Sequence, residues 1–157
     1  MSNMQDIENT VYEINAEPKK WLDIALKLED AAKTLQQNNL YEIHDIERRS
    51  QEYMLWGFCI ENLFKGILVS KGINEIIKIR NGKSEYSGPG HDLVKLAQKV
   101  GFHLNIQDEL LLKFLTNAIL YFGRYPIPKN SSRLSVYWEE SYDKSIEKII
   151  EQLKSKY

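Results

Sequence analysis

The chain has 157 residues, of which 43% are hydrophobic and 27% charged, with a formal net charge of -1. That length and apolar content suit one folded domain with its own core and exclude intrinsic disorder, while the near-neutral charge excludes coating of nucleic acid through a global basic field. Cys59 is the single cysteine, so neither an intrachain disulfide nor a cysteine-based zinc site can form within one chain, and a reducing cytoplasm is the expected location.

No apolar run approaches the length of a membrane span, and Met1 to Thr10 lacks the basic start and apolar core of an export signal. The first helical period runs from Pro18 to Gln37. Pro18 suits a first helical position, and Trp21, Ile24, Ala25, Leu28, Ala31, Ala32 and Leu35 fall on one face. The Gln-Gln-Asn-Asn run from Gln36 then stops the helix. A longer segment spans Tyr41 to Lys71. Its second half, with Tyr53, Trp56, Phe58, Ile60, Leu63, Phe64, Ile67 and Leu68, is apolar nearly all round, as expected of a core helix packed on several sides. Lys71-Gly72 closes it with a basic last turn and a residue suited to the left-handed cap.

Ile73 to Ile79 reads as a short helix, and Asn81 to Gly90, polar and without a period, as a mobile loop. A third helix starts near His91 or Asp92 and stops at Gly101. A fourth starts at Asn105, whose spacing to Asp108 is that of a capping box, and runs to Phe122. Pro126 and Pro128 prevent its continuation. The last helix occupies Ser141 to Lys156, and short extended pieces fit Val11 to Ile14 and Leu134 to Tyr137. The expected fold is all-α, a single domain over residues 1–157 with four main helices and one or two small ones.

Gly123-Arg124-Tyr125-Pro126 puts a permanent cation at the end of the fourth helix, among aromatic residues. A guanidinium is a planar fork of donors matched to carboxylate or phosphate, so Arg124 is either an ion pair favoured by the helix dipole or an anion-binding group. Tyr125 reads first as cover for the end of the bundle and second as a stacking surface for a base. His91, beside Asp92 at a helix start, reads as a capping group ahead of a proton-transfer group. Glu61 and Lys65, four apart, are either a solvated ion pair or, because their helix is otherwise so apolar, a pair facing a groove where they meet Arg124. Glu52 with Arg48 has the same spacing in a more polar setting and is assigned to the surface, as are His44 and His103. Cys59 is assigned to apolar packing. Lys78, Arg80 and Lys83 form a small basic patch around the expected loop, which would suit phosphate backbones if it is more than coincidence. There is no phosphate-binding glycine loop, no nucleophile elbow and no metal-ligand spacing, so no cofactor or metal is expected.

Taken in order and spacing, Glu61-Asn62-Leu63-Phe64-Lys65-Gly66-Ile67-Leu68, then Lys71-Gly72, then Gly90-His91-Asp92-Leu93-Val94-Lys95-Leu96, then the long helix ending in Gly123-Arg124-Tyr125-Pro126, resemble the HEPN (higher eukaryote and prokaryote nucleotide-binding) family. The resemblance covers residues 51–126. It implies a four- to five-helix up-and-down bundle, often a homodimer, frequent in prokaryotic toxin-antitoxin, defence and RNA-processing systems, and in several members paired with a nucleotidyltransferase. Ribonuclease members of the family carry an Arg followed four to six residues later by His. None of Arg48, Arg49, Arg80, Arg124 and Arg133 has a His at that distance, and the nearest case, Arg80 to His91, leaves ten intervening residues. Arg124-Tyr125-Pro126 instead resembles a small subset in which this tripeptide ends the helix. The implied function is that of a binding or accessory protein without ribonuclease activity, engaging a nucleotide, RNA or protein partner through Arg124, Tyr125, Glu61, Lys65 and His91. One alternative is a non-standard ribonuclease or toxin using Arg124 and His91. The other is an interaction module in which all these residues are architectural.

Overall fold

The computed structural model describes residues 17–38, 49–73, 77–80, 83–86, 90–124 and 141–157. Among them the apolar periods become five helices: α1 (Pro18–Asn38), α2 (Ser50–Ser70), α3 (Leu93–Val100), α4 (Ile106–Asn117) and α5 (Tyr142–Lys154). A π-helical turn, Ala118–Phe122, extends α4. The fold is an all-helical bundle that carries one small hairpin, β1 (Ile77–Arg80) with β2 (Lys83–Tyr86). Tyr41 to Arg48, Val11 to Ile14 and Leu134 to Tyr137 lie outside the described residues.

Helix α2 is the axis of the bundle, as its all-round apolarity requires. Tyr53, Trp56, Cys59, Ile60, Leu63, Phe64, Ile67 and Leu68 are all buried, and α1, α3, α4 and α5 all pack on it. The four long helices alternate in direction. Helix α1 starts with Trp21 against Gly66 and reaches the charge field of Cys59 by Glu29, so it runs opposite to α2. Helix α4 sets Leu115 and Ile119 against Gly57 and Gly123 against Met54, again antiparallel. Helix α5 runs with α2, from Asp143 beside Arg49 to Tyr157, whose hydroxyl donates to the Leu63 carbonyl at 2.7 Å. The short α3 also runs with α2, starting beside Glu61 and ending where Lys71 Nζ donates to the Val100 carbonyl at 2.6 Å. Gly57 is what lets α4 approach: a Cβ there would lie 2.8 Å from Ile119 Cγ1 and 3.1 Å from the Leu115 carbonyl oxygen.

Local chemistry sets the helix ends. Asp92 caps α3, accepting from Lys95 N, and Gly101 ends it at φ 71°, the left-handed region that glycine enters without strain. Asn105 caps α4 by accepting from Asp108 N at 2.8 Å. The hairpin corrects two expectations, since Ile77 to Ile79 is strand and not helix, and Lys83 to Tyr86 is strand and not loop. Its register pairs Ile77 with Tyr86 and Arg80 with Lys83. The residues between the paired ends are Asn81-Gly82, the dipeptide that two-residue hairpin connections favour most, and Ile77 to Arg80 alternates apolar and basic. Lys78, Arg80 and Lys83 therefore belong to strands.

Burial also overturns the surface assignment of Glu52. Its carboxylate is fully enclosed, and its partner is Arg49: Nε and Nη2 donate to Oε2 and Oε1 at 2.9 and 2.6 Å. Arg49 reaches Asp143 as well, at 3.0 Å, and Trp56 Nε1 donates to Glu52 at 3.3 Å. Burial alone would work against the Arg49 charge, but the hydrogen bonds it donates to Glu52 and Asp143 outweigh it and hold the guanidinium protonated. Cys59 is buried as expected, and that burial pushes its thiol up to about 12, far from a nucleophile at neutral pH.

A second network fastens α5 to α1, where Glu29 accepts from Lys33 at 2.6 Å and from Lys154 at 3.2 Å. Burial disfavours the Glu29 carboxylate, yet the two lysines more than compensate, and its pKa lies below the ordinary 4.5. A group whose folded pKa is depressed contributes stability above its unfolded pKa and loses that contribution as pH falls through the folded one. The urea midpoint is accordingly expected to fall below about pH 4.5, and to fall less steeply there in Glu29→Gln. Equal acid slopes in the two proteins would contradict this.

Candidate functional site

Phe58, Glu61 and Lys65 lie three and four residues apart on α2, so one stripe of that helix presents all three in line. Against this stripe the fold sets two residues from distant segments, His91 just before α3 and Arg124 just after the π-helical turn. His91 is held there because Asp92 caps α3 behind it, and because Leu93 N donates to Thr116 Oγ1 of α4 at 3.2 Å. Arg124 is held by the close approach of α4 to α2 at Gly123, where a Cβ would lie 2.5 Å from Met54 Cβ. Gly123 N bonds back to the Ala118 carbonyl and Arg124 N to that of Tyr121.

The stripe carries a chain of hydrogen bonds. Lys65 Nζ donates to Glu61 Oε1, and His91 Nδ1 meets Glu61 Oε2 at 2.8 Å. A carboxylate paired with a lysine can only accept, so His91 Nδ1 is the donor in this contact. Glu61 and Lys65 are buried, with side chains 5% and 6% exposed, whereas the His91 side chain is 36% exposed. The buried pair thus acts as a fixed base plate that sets the tautomer and tilt of a ring open to solvent. Lys65 also lies 6.0 Å from the centroid of Trp21 in α1.

Phe58 joins the two basic groups. The His91 ring meets it edge-on, with centroids 5.9 Å apart, and the Arg124 guanidinium carbon lies 5.4 Å from the Phe58 centroid, within cation–π range. Arg124 is exposed, and among the described residues no carboxylate pairs with it. The expected juxtaposition of Glu61, Lys65, His91 and Arg124 is therefore present in a different wiring. Glu61 meets His91 and not Arg124, His91 is a hydrogen-bond partner of Glu61 and not a cap, and Arg124 sits on an aromatic ring and not at a carboxylate. Tyr125 lies outside the described residues. Phe58, which the sequence assigns to the core, is only half-buried. Its spacing to Glu61 and Lys65 was the available signal.

An imidazole oriented by a carboxylate and a solvent-facing guanidinium, both on one aromatic ring, can bind an anion, and the ring edge can take an apolar or stacking group. Among the described residues no cluster of three His, Cys, Asp or Glu side chains could hold a metal ion, and no helix is long and apolar enough to cross a membrane. No family model matches the chain, and neither the curated proteins nor the solved structures yield a match.

Proposed function

We propose that this chain is a HEPN-like helical binding protein that takes a phosphate-bearing ligand, RNA or a nucleotide, on the surface formed by Arg124, Phe58 and His91. The observation that carries the reading is the exposed Arg124 guanidinium 5.4 Å from the Phe58 ring, with His91 on the same ring at 5.9 Å. A guanidinium can present two parallel donors to one phosphate, and protonation gives His91 Nε2 a further one. An aromatic surface beside such donors suits the face of a base, as in single-strand binding generally. Service as the accessory member of a defence, toxin-antitoxin or RNA-related system, beside a nucleotidyltransferase or another protein, belongs to the same proposal and rests on the resemblance in residues 51–126.

A second reading draws on a specific contact, the 2.8 Å pairing of His91 Nδ1 with Glu61. A carboxylate that orients an imidazole prepares Nε2 to take a proton from a ribose 2′-hydroxyl as that oxygen bonds to the adjacent phosphorus and the P–O5′ bond breaks, the leaving 5′-oxygen taking a proton from water, with Arg124 stabilising the charge that develops on the phosphate oxygens. One experiment separates the readings: a labelled single-stranded RNA is followed for both anisotropy and chain length with wild type, Arg124→Ala and His91→Ala. The binding reading expects intact RNA, and an affinity about tenfold weaker in Arg124→Ala, the loss of one charge-assisted contact of about 1.4 kcal/mol. RNA cleavage abolished by His91→Ala would establish the second reading. Neither binding nor cleavage by wild type would sink both.

A further inference from the structure

At the end of α3 away from His91, a cavity of about 460 Å³ opens between the connection 101–105, the first turn of α4 and the end of α5. Its most buried charge is Asp108, only 7% exposed. Asp108 is the third residue of α4, where the acid of a capping box returns a hydrogen bond to the cap residue. Only half of that exchange forms here. Asn105 Oδ1 accepts from Asp108 N at 2.8 Å, but among the described residues nothing donates to the Asp108 carboxylate. Its oxygens are not sealed in either, since no enclosed side-chain oxygen among the described residues lacks a partner. The carboxylate therefore faces the cavity, where its burial calls for a donor.

The other charged groups of the wall are basic. Lys148, Gln152 and Lys156 follow one another at intervals of four along α5 and the turn after it, and His103 stands on the connection before α4. Both lysines are exposed, and among the described residues neither pairs with a carboxylate. Phe102, half-buried and held edge-on by Phe64 with centroids 5.8 Å apart, supplies an apolar wall.

We propose that this cavity binds a small zwitterion, a free α-amino acid or a dipeptide, with its ammonium on Asp108, its carboxylate toward Lys148 and Lys156, and an apolar side chain against Phe102. The order of the charges decides the class. A ligand that is only anionic would meet a buried carboxylate, and one that is only cationic would leave two rim lysines unanswered. An ammonium within and a carboxylate outside answer both, through charge-assisted hydrogen bonds that an ammonium can donate three times over. The volume lies within the range of about 300–1,000 Å³ usual for small-molecule sites.

Amide-resolved NMR of the full chain, titrated in turn with L-leucine, L-methionine, L-phenylalanine and the dipeptide of each with glycine, tests the proposal. At least one is expected to shift the Gly101, His103 and Asp108 amides with a Kd of about 1 mM, and to leave the Arg124 amide in place. Tighter binding of the dipeptide assigns the site to peptides, and tighter binding of the amino acid assigns it to free amino acids. The N-acetyl form of the bound ligand, which lacks the ammonium, is expected to shift nothing, and its C-terminal amide, which lacks the carboxylate, to bind about tenfold more weakly. Asp108→Asn is expected to abolish binding. Lys148→Ala with Lys156→Ala is expected to weaken the zwitterion about tenfold and to leave the C-terminal amide form unchanged. No shift with any of the six ligands overturns the proposal, and so does equal binding of the N-acetyl form, an arm that uses wild type and stands even if Asp108→Asn fails to fold. Undiminished zwitterion binding in the double lysine variant overturns the carboxylate contact.

Discussion

Arg49→Met is expected to destabilise the fold by about 3–5 kcal/mol, the cost of removing one partner of a buried ion pair. Glu52 has no exposed side-chain surface and takes two hydrogen bonds from that guanidinium, so water cannot replace what is lost. The same guanidinium reaches Asp143 and joins the start of α2 to the start of α5, two segments 94 residues apart in sequence. For a domain of this size each kcal/mol lowers the thermal midpoint by about 2–4 °C, which makes a fall of about 10 °C the expected reading in a melt. Adding Glu52→Gln should recover much of the loss, because the amide carries no buried charge and keeps an oxygen to accept from Trp56 Nε1. A single variant that melts within a degree or two of wild type would show that the network contributes little.

Glu61→Ala is expected to be as costly, about 3–5 kcal/mol, and to remove function with it. The change strips the carboxylate from Lys65, whose side chain is 6% exposed, and frees His91 from the group that orients it. Glu61→Gln separates the two consequences. The amide oxygen still accepts from His91 Nδ1, so the ring keeps its tautomer, while the charge opposite Lys65 is gone. Urea titration should therefore rank wild type, Glu61→Gln and Glu61→Ala in falling stability. RNA affinity, measured where all three are folded, should be retained far better in the glutamine variant than in the alanine one. Equal affinities in the two variants would mean that the orientation of His91 plays no part in binding.

Local rules made much of the helical frame legible. The caps Asp92, Gly101 and Asn105 each act within a few residues, through bonds such as Asp92 to Lys95 N and Asn105 to Asp108 N. The apolar wrapping of α2 announced a central helix because no surface helix can carry so much apolar area. The hairpin was less legible. Only four residues long on each side, it offers a short alternation that a turn-rich setting easily conceals. The inner face of α1 was not legible either, since Ala25, Glu29 and Ala32 and the row of Ile24, Ala31 and Leu35 are adjacent stripes of the same helix. Alanine beneath, where α2 approaches closely, and bulk outside is a choice that periodicity cannot make.

By itself the sequence determined amphipathic helices around one that is apolar nearly all round, a permanent cation at the end of α4, and an acid and a base one turn apart on α2. These follow from residue type and from spacings of three or four, which the geometry of a helix converts directly into faces. Only the tertiary structure decided how those groups are joined: Glu61 to His91 across 30 positions, Arg124 to Phe58, and Glu52 to Arg49 and through it to Asp143. The physical reason is that a charge drawn into a core must find whichever partner the packing of apolar faces brings near, and that partner need not be close in sequence.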